Sequence, residues 1–334
     1  MTLYDVFNRP LENLRISVTD RCNFRCSYCM PAHKFRQGYS FIRSADLLTF
    51  EEITRLARGF SRLGIHKVRL TGGEPLVRPG IEQLVGMLSQ VEGIREIAMT
   101  TNGFLLPQKA RLLRNQGLMR LNISLDSLDE AVFQRMNGGR AKVTDVLNGI
   151  SAAEQAGFSP LKINTVVQRG VNDHTLVDLA LYFRERGHIV RFIEFMDTGT
   201  LNGWKYDHVL LTDELIQRIG RVVPLRPLPA HYGGEVVKRY GYADGSGEIG
   251  FITSVSNPFC GGCNRLRLSA EGKIYTCLFA RQGVDLRRLL RSGASDEVIA
   301  ECIKETWQHR KDRYSEERSN GQRTEKVEMY HMGG

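Results

Sequence analysis

The sequence lacks any apolar run close to the ~20 residues that a membrane-spanning helix needs, although 42% of its 334 residues are hydrophobic. Its first residues, MTLYDVFNRP, have neither the apolar core of a secretory signal nor the bias of a transit peptide. No low-complexity segment and no long internal repeat stands out. These absences argue against membrane and secreted proteins, and we expect a cytoplasmic protein of one or two domains.

Acidic residues are in short supply, because 37 Asp and Glu stand against 46 Lys and Arg, for a net charge of +9. Such a surplus is common on soluble surfaces. It also suits an anionic partner such as a nucleic acid, a nucleotide or another phosphate ligand. Charge alone does not decide between these interpretations.

Cysteine is scarce outside two short stretches. Six of the seven cysteines form a C-x3-C-x2-C group and a CGGC-x13-C group: Cys22, Cys26 and Cys29, and Cys260, Cys263 and Cys277. A [4Fe–4S] cluster normally takes four thiolates, so three cysteines would leave one iron open for chemistry. Cys302 lies alone in a helical pattern and is expected to be a buried apolar residue.

Structural zinc is the alternative for the second cysteine group, with His231 as a candidate fourth ligand. The residues favour zinc and an iron–sulfur cluster equally at that group. The first group fits zinc poorly, because its spacing differs from that of paired zinc knuckles. All six cysteines together would exceed the four ligands that zinc takes.

Six short β-like runs recur in the first 200 residues, mostly separated by helical patterns. The runs are residues 14–18, 67–71, 94–100, 120–125, 161–167 and 190–195, and helical patterns include 49–63, 81–91, 142–156 and 175–186. Strands alternating with helices indicate parallel β/α units, in either a doubly wound sheet or an incomplete barrel. Later residues predict a helix at 212–219, a proline-rich link (Pro224, Pro227, Pro229), strands at 235–240 and 249–255, and a mostly helical, charged tail.

Unusual residues follow five of the six predicted strands. They are CNFRCSYC at 22–29, GGEP at 72–75, TNG at 101–103, Asp126 with Ser127, and Met196 with Asp197. The C-terminal ends of parallel strands meet at one rim, where active sites lie. We therefore expect a site at this rim. GGEP is not a phosphate loop, because no G-x-x-x-x-G-K-[ST] pattern surrounds it.

Cations occur inside strands that should be nearly all apolar in a parallel sheet. Arg15, Arg69 and Lys162 are such residues, and a buried charge is costly unless it is paired or faces a cavity. For one of them alone, a strand-end ion pair or a solvated edge is an equal alternative. Three inward cations in one barrel would form a pocket for a polyanion. Arg265 and Arg267 alternate after Cys263, where they could grip a phosphate or simply be exposed.

Three stretches of sequence, with the last two glycines, carry a family resemblance. CNFRCSYCM at 22–30 resembles the signature of the radical S-adenosylmethionine (SAM) superfamily, and TGGEP at 71–75 resembles its glycine-rich motif, which contacts the SAM amino group. NPFCGGCNRLRLSAEGKIYTCLF at 257–279, with the terminal Gly333 and Gly334, is similar to the molybdenum-cofactor GTP 3′,8-cyclases, the MoaA family. The first motif identifies only the superfamily, whereas the second set is specific.

The resemblance implies an incomplete six-unit (β/α) barrel in residues 1–200, closed by a C-terminal segment, 201–334. Cys22, Cys26 and Cys29 would hold a [4Fe–4S] cluster that binds SAM. Cys260, Cys263 and Cys277 would hold a second [4Fe–4S] cluster, whose open iron meets the guanine base. The implied SAM contacts are Tyr28, Gly73, Ser124 and Met196. The implied GTP contacts are Arg15, Arg69, Thr100, Lys162, Arg265, Leu266 and Arg267, with Gly333 and Gly334 reaching into the active site.

The implied activity is that of a radical SAM lyase in the first step of molybdenum cofactor biosynthesis. A 5′-deoxyadenosyl radical made from SAM abstracts hydrogen from ribose C3′ of GTP, and the carbon radical then adds to C8 of guanine. The expected partners are GTP, a reducing donor of the flavodoxin or ferredoxin type, and a downstream cyclic pyranopterin monophosphate synthase. A homodimer is compatible with the resemblance, and no nucleic acid or membrane partner is expected.

Two rival interpretations remain from the residues. One is a two-cluster radical SAM enzyme that modifies peptides, and the other is a zinc-stapled nucleic-acid binder. The inward cations and the terminal glycines favour a nucleotide over a peptide. The sequence departs slightly from the family pattern, since Asp197 follows Met196 where proline is expected and Tyr-His-Met precedes the final glycines.

Overall fold

One sheet of twelve strands runs through the part of the chain that the structure, a computed structural model, describes: residues 2–35, 38–318 and 326–333. The strands are β1 (Asn13–Ser17), β2 (Lys67–Thr71), β3 (Glu96–Thr101), β4 (Arg120–Ser124), β5 (Lys162–Val167), β6 (Ile189–Glu194), β7 (Leu225–Leu228), β8 (Val237–Tyr242), β9 (Glu248–Ile252), β10 (Arg265–Leu268), β11 (Lys273–Tyr275) and β12 (Val284–Asp285). The six strands predicted in the first 200 residues are confirmed, with ends that differ by at most two residues.

Helices fill most of the connections between these strands. They are α1 (Phe50–Arg62), α2 (Ile81–Ser89), α3 (Leu106–Asn115), α4 (Glu130–Asn137), α5 (Val143–Gln155), α6 (Leu176–Glu185), α7 (Thr212–Gly220), α8 (Leu286–Arg291), α9 (Asp296–Gln308), α10 (Tyr314–Glu317) and α11 (Met329–Met332). In the described residues, no helix combines the length and apolar character needed to cross a bilayer.

The sheet order is β12-β11-β10-β1-β2-β3-β4-β5-β6-β9-β8-β7. Strands β1 to β6 are parallel neighbours in chain order. A doubly wound sheet reverses its strand order part-way along, so this sequential order excludes that alternative. The C-terminal part covers both flanks, because β10 pairs in parallel with β1 and β9 pairs in parallel with β6. Within the described residues, no pairing joins β12 to β7.

The proline-rich link differs from its prediction, because part of it forms strand β7. Pro227 lies in β7, which has one neighbour, β8, and therefore forms an edge of the sheet. Proline lacks the N–H that a second neighbour would require, and an edge strand tolerates that loss. Strands β10 to β12 were also absent from the sequence prediction, because each is only two to four residues long.

Alternation along the strands separates an apolar face from a polar face. Leu14, Ile16 and Leu70 are at most 1% exposed and lie in the main core, where helices such as α1 cover the sheet. Helix α1 begins with a capping box, in which Thr49 and Glu52 each accept a hydrogen bond from the other's backbone N–H. Cys302 is partly buried against the same core. The residues between the apolar ones, such as Arg15, lie on the opposite face.

Glu194, at the end of β6, joins the β/α units to the C-terminal segment. It is buried, and its carboxylate accepts hydrogen bonds from Thr212 N and Oγ1 at 2.9 and 2.8 Å. It also accepts from Val255 N at 2.8 Å and from the backbone N–H and hydroxyl of Ser256. One carboxylate therefore satisfies the donors of two later segments.

We expect Glu194→Ala to lower the free energy of unfolding by about 3–5 kcal/mol, because several buried donors lose their partner at once. Urea unfolding followed by circular dichroism measures the change. Glu82→Gln, which removes one side of a surface ion pair with Lys109, is the matched control and should change stability by less than about 0.5 kcal/mol. Equal unfolding midpoints for the two variants would contradict the joining role of Glu194.

Candidate active site

Both cysteine groups line one cavity of about 410 Å³, together with the ends and the polar face of the parallel strands. At the strand-end rim it is lined by Cys22, Cys26, Cys29, Tyr28, Gly72, Gly73, Asn102, Asp126 and Met196. The predicted gathering of strand-end residues is therefore largely confirmed. Ser127 and Asp197 do not line the cavity; the Ser127 hydroxyl instead lies 2.9 Å from the Thr175 hydroxyl, near the start of α6.

The first cysteine loop follows β1 and is held by backbone hydrogen bonds. Cys26 O accepts from Cys29 N at 3.0 Å and from Met30 N at 2.8 Å, and Phe24 N donates to Cys22 Sγ at 3.3 Å. Burial, with Glu74 nearby, raises the pKa of Cys22 to about 12, and burial likewise raises the pKa values of Cys26 and Cys29. Arg25, whose Nη1 donates to Cys22 O at 2.7 Å, lowers the pKa of Cys22 but does not outweigh burial. A cationic iron cluster would supply the positive charge that the three thiolates need.

Gly72 and Gly73 let the backbone after β2 lie directly against the chain that leads into this loop. Gly72 has φ +147°, and a Cβ there would lie 2.5 Å from Thr19 O. A Cβ at Gly73 would lie 2.3 Å from Arg21 O. Gly73 N donates to Thr19 O at 2.7 Å, and Glu74 N donates to Arg21 O at 2.8 Å. The glycine pair therefore fixes the entrance of the cysteine loop.

Glu74 links three rim loops. Its carboxylate accepts from the Thr101 hydroxyl and from Asn102 N, both at 2.7 Å, and from Leu76 N at 3.0 Å. Asn102 in turn donates through Nδ2 to Asn23 Oδ1 at 2.7 Å. Burial raises the pKa of Glu74 to about 7, against the effect of these hydrogen bonds. The loops after β1, β2 and β3 therefore hold one another in place.

Asp126 orients Tyr28, one of the predicted SAM contacts. The Tyr28 hydroxyl donates to Asp126 Oδ2 at 2.8 Å, and Val166 N donates to Asp126 Oδ1 at 2.9 Å. Burial raises the pKa of Asp126 to about 6. The other predicted SAM contacts, Gly73, Ser124 and Met196, line the same cavity.

The second cysteine group has the opposite electrostatic setting. Burial alone would raise the pKa of Cys263, but the guanidinium groups of Arg265 and Arg310 outweigh it and lower the pKa to about 5. Arg265 Nη2 lies 3.4 Å from Cys263 Sγ, and Arg310 Nη1 donates to Cys263 O at 2.6 Å. Burial raises the pKa of Cys277 to about 12. This group thus contains a ready thiolate, which is the form that binds metal.

The zinc alternative at the second group finds no support in the geometry. Throughout 2–35, 38–318 and 326–333, no three His, Cys, Asp or Glu side chains lie in position to hold one metal ion. His231 lines the cavity, but it is exposed and its backbone N–H donates to Glu235 Oε2. A four-iron cluster needs wider spacing than one ion, because each thiolate binds a different iron.

Between the two cysteine groups, the polar face of the sheet carries closely spaced cations. Arg15 of β1 stands opposite Arg267 of β10 on one side and opposite Arg69 of β2 on the other. Burial, then repulsion from neighbouring arginines, lowers the pKa of Arg15; the same causes lower those of Arg69 and Arg267 to about 10. Burial and three arginines, Arg191, Arg120 and Arg69, lower the pKa of Lys162 to about 7.

Arg120 and Arg191 also line the cavity, although neither was among the predicted site residues. Arg191 stands opposite Asn164 of β5 and opposite Gly250 of β9, where an added Cβ would lie 3.3 Å from Arg191 Cγ. Both arginines lie within predicted strands, and Arg191 stands between the buried Val190 and Phe192. That is the signal that identified Arg69 and Lys162, so alternation could have identified Arg191 too.

Six of the seven predicted GTP contacts line the cavity: Arg15, Arg69, Thr100, Lys162, Arg265 and Arg267. The side chain of Leu266 lies in the apolar core instead, because it alternates with the two arginines beside it. Gly333 is brought to the site, since Arg267 Nη1 donates a hydrogen bond to its carbonyl. Gly334 lies outside the described residues.

Comparisons with known proteins agree on the class of this chain. Two family models match it, Radical SAM superfamily over residues 16–183 and Molybdenum Cofactor Synthesis C over residues 188–316. A GTP 3′,8-cyclase of Xanthomonas axonopodis pv. citri is 50% identical over 99% of both chains. The enzyme of the same name from Acidothermus cellulolyticus is 48% identical over 99% of this chain and 98% of its own.

The solved structure of Streptococcus suis SuiB bound to S-adenosylmethionine resembles this chain with a TM-score of 0.63. The alignment covers 89% of this chain and 69% of SuiB, at 14% sequence identity. At that identity the likeness concerns the fold alone. Together with the Radical SAM family match over residues 16–183, it identifies the mixed sheet and its helices as a radical SAM α/β fold.

We expect Gly73→Ala to lower the iron and sulfide content of the anaerobically reconstituted protein and to cost about 1–3 kcal/mol of stability, because the new methyl group collides with Arg21 O. Gly59→Ala, on α1, is the control, since a Cβ there meets no atom within 4 Å. Unchanged iron content and an unchanged unfolding midpoint in Gly73→Ala would show that the close approach does not constrain the loop.

Proposed function

Because this chain belongs to the GTP 3′,8-cyclase family of the radical SAM superfamily, we propose that its cavity holds SAM at the strand-end rim and GTP along the row of cations. The reaction converts GTP to (8S)-3′,8-cyclo-7,8-dihydroguanosine 5′-triphosphate in molybdenum cofactor biosynthesis. The observation that carries the proposal is that six cysteines and a series of closely spaced cations line one cavity. A nucleotide triphosphate supplies the negative charge that these cations lack.

Cys22, Cys26 and Cys29 would hold an iron–sulfur cluster with one open iron for SAM. Bound there, the cluster and SAM supply the 5′-deoxyadenosyl radical that removes hydrogen from ribose C3′. Asp126 holds the Tyr28 hydroxyl, and Glu74 holds the rim loops together, so both fix the walls of this end of the cavity. The enclosing protein excludes water from a reactive carbon centre.

We also propose a second [4Fe–4S] cluster at Cys260, Cys263 and Cys277, whose open iron meets the guanine base. Two observations support this second cluster. Arg265 favours the thiolate form of Cys263. All three cysteines line the same cavity as Arg15 and Arg267. The triphosphate would then lie along Arg69, Lys162 and Arg191. Gly333 is assigned an accessory role through its contact with Arg267.

An incomplete barrel is the proposed shape of the sheet, with residues 1–200 as the barrel and 201–334 as the segment that closes it. One cavity is lined by side chains from all eight consecutive parallel strands, β10, β1 to β6 and β9. In a flat sheet, the side chains of eight strands would lie too far apart to line one cavity of this size. The set of residues that line the cavity therefore supports a curved sheet.

Further partners follow from the family. We propose a reducing donor of the flavodoxin or ferredoxin type, a downstream cyclic pyranopterin monophosphate synthase that takes the product, and a homodimeric state. The proposed location is the cytoplasm, because free cysteine thiols persist under reducing conditions.

Cys260→Ser tests the role of the second cluster. The anaerobically reconstituted wild type should contain about eight iron and eight sulfide atoms per chain, and the variant about four of each. The variant should cleave SAM to 5′-deoxyadenosine but make no cyclised GTP. Iron analysis and chromatography of the products measure both effects.

Cys302→Ser is the matched control, because Cys302 is packed against the core away from the cavity residues. It should keep full iron content and full activity. Normal cyclisation by Cys260→Ser would refute the second-cluster proposal, and a colourless wild type that contains zinc would refute both clusters.

Lys162 gives the site a predicted pH dependence. Its pKa of about 7 means that the free enzyme carries this charge below pH 7 and loses it above. Between pH 6.5 and 8.5, GTP affinity should therefore fall by roughly tenfold relative to Lys162→Arg, which stays charged throughout that range. Calorimetry on the reconstituted protein measures both. Parallel pH profiles for wild type and Lys162→Arg would contradict the assignment.

A further inference from the structure

Asp197 lies shortly after the end of β6, next to Met196. It forms ion pairs with cations of two later segments, Arg318 after α10 and Lys326 near the end of the chain. Its Oδ2 accepts hydrogen bonds from Lys326 Nζ at 2.7 Å and from the Tyr314 hydroxyl at 2.5 Å. Its Oδ1 forms an ion pair with Arg318 Nε at 2.9 Å. The side chains of Asp197 and Lys326 are only 13% and 7% exposed. The cluster is therefore largely removed from water, where a charge without a partner is costly.

The two cations of this cluster depend on the same carboxylate. Among the residues that the structure describes, Asp197 is the one acidic residue that forms an ion pair within 4.0 Å with Lys326, and it is also the one that does so with Arg318. Without that carboxylate, two positive groups would face each other in a half-buried site. Their repulsion would separate the tail from the segment around α10.

Aromatic rings form the wall behind this cluster. Phe279 stacks on Tyr314 with ring centroids 4.3 Å apart, and Lys326 Nζ lies 4.4 Å from the Tyr314 centroid. Val327 N donates to Ala280 O at 3.1 Å, so the backbone of the tail is attached at the same place. Phe279 lines the cavity two residues after Cys277. The tail is thus anchored next to the second cysteine group.

Three further contacts guide the tail from this anchor to its end. Glu328 Oε1 accepts from Thr200 N at 2.7 Å and from the Thr200 hydroxyl at 2.8 Å. The hydroxyls of Tyr330 and Tyr39 lie 2.8 Å apart, and Tyr330 packs against Phe35 with ring centroids 5.1 Å apart. At the end, the Gly333 carbonyl receives its hydrogen bond from Arg267.

We propose that Asp197 is the positioning residue of the C-terminal tail. Its carboxylate neutralises Lys326 and Arg318 together, fixes residues 326–333 across the rim, and thereby delivers the Gly333 carbonyl to Arg267. The functional half of this statement rests on the proposed cyclase function, whereas the anchoring of the tail does not. Asp197 does not line the cavity, so its effect on the reaction passes through the position of the tail.

The test compares Asp197→Asn, Lys326→Gln and the double variant with Glu82→Gln as the matched control, all as full-length, reconstituted holoenzyme. Amide hydrogen exchange in 326–333 should be faster by roughly ten- to hundredfold in each single variant and unchanged in the control. The double variant should be no worse than either single one, because both remove the same interaction.

Product analysis gives the second readout. Cyclised GTP formed per 5′-deoxyadenosine should fall by roughly tenfold or more in the same variants, because a displaced tail leaves Arg267 misplaced. Iron content should stay at the wild-type value. A purely structural role would lower SAM cleavage and cyclisation together and leave their ratio unchanged.

Unchanged exchange of the tail in the single variants, or additive effects in the double variant, would overturn the anchoring role. A loosened tail with an unchanged product ratio would overturn the positioning role. If Asp197→Asn does not fold, Lys326→Gln carries the test, because Lys326 lies on the tail itself. If the wild type makes no cyclised GTP, the proposed function fails, and the exchange data still decide the anchoring.

Discussion

Repulsion between like charges inside the sheet is the constraint on which the site depends. Arg267, Arg15 and Arg69 stand at directly opposed positions of three neighbouring strands. Each would be more stable in water, and the lowered pKa values record that cost. The strands hold them together because Leu14, Ile16 and Leu70, on the other face, are packed in the core. Burial of the apolar face therefore offsets the charge on the polar face.

The same cavity surrounds its two cysteine groups with opposite charge. Glu74 and Asp126 lie near the first group and favour protonated thiols, whereas Arg265 and Arg310 lie near Cys263 and favour a thiolate. Loading of the first group therefore requires the metal to displace protons, while the second group already offers one free ligand. The two ends of the cavity therefore differ in charge.

Local patterns predicted the parallel strands, the strand-end rim and several lining cations, because these follow from alternation and from chain direction, whereas Tyr28, Ser124 and Thr100 were expected only from the family resemblance. The contacts that join distant segments of the chain were not predictable in the same way. The carboxylate of Glu194 is buried because residues near positions 212 and 255 donate hydrogen bonds to it. The charge of Asp197 is balanced only because Lys326 of the tail and Arg318 after α10 lie beside it. Gly72 and Gly73 belong to the motif expected to contact SAM, and the backbone groups that their Cβ positions would meet are those of Thr19 and Arg21 of the same chain. Contacts between residues far apart in sequence leave no local pattern.

The flanks of the sheet have a consequence for how the chain reaches this state during synthesis. Asn264, at the start of β10, donates through Nδ2 to Glu12 Oε2 beside β1, and the two residues are 252 positions apart. At a synthesis rate of ~5–20 residues per second, roughly 10–50 s pass between the synthesis of β1 and that of β10, the strand that pairs with its outer edge. During that interval its unpaired backbone groups and the nearby arginines are exposed to the cell. The arginines on this edge disfavour pairing with another nascent chain, so the cations proposed to bind the triphosphate also protect the unfinished sheet.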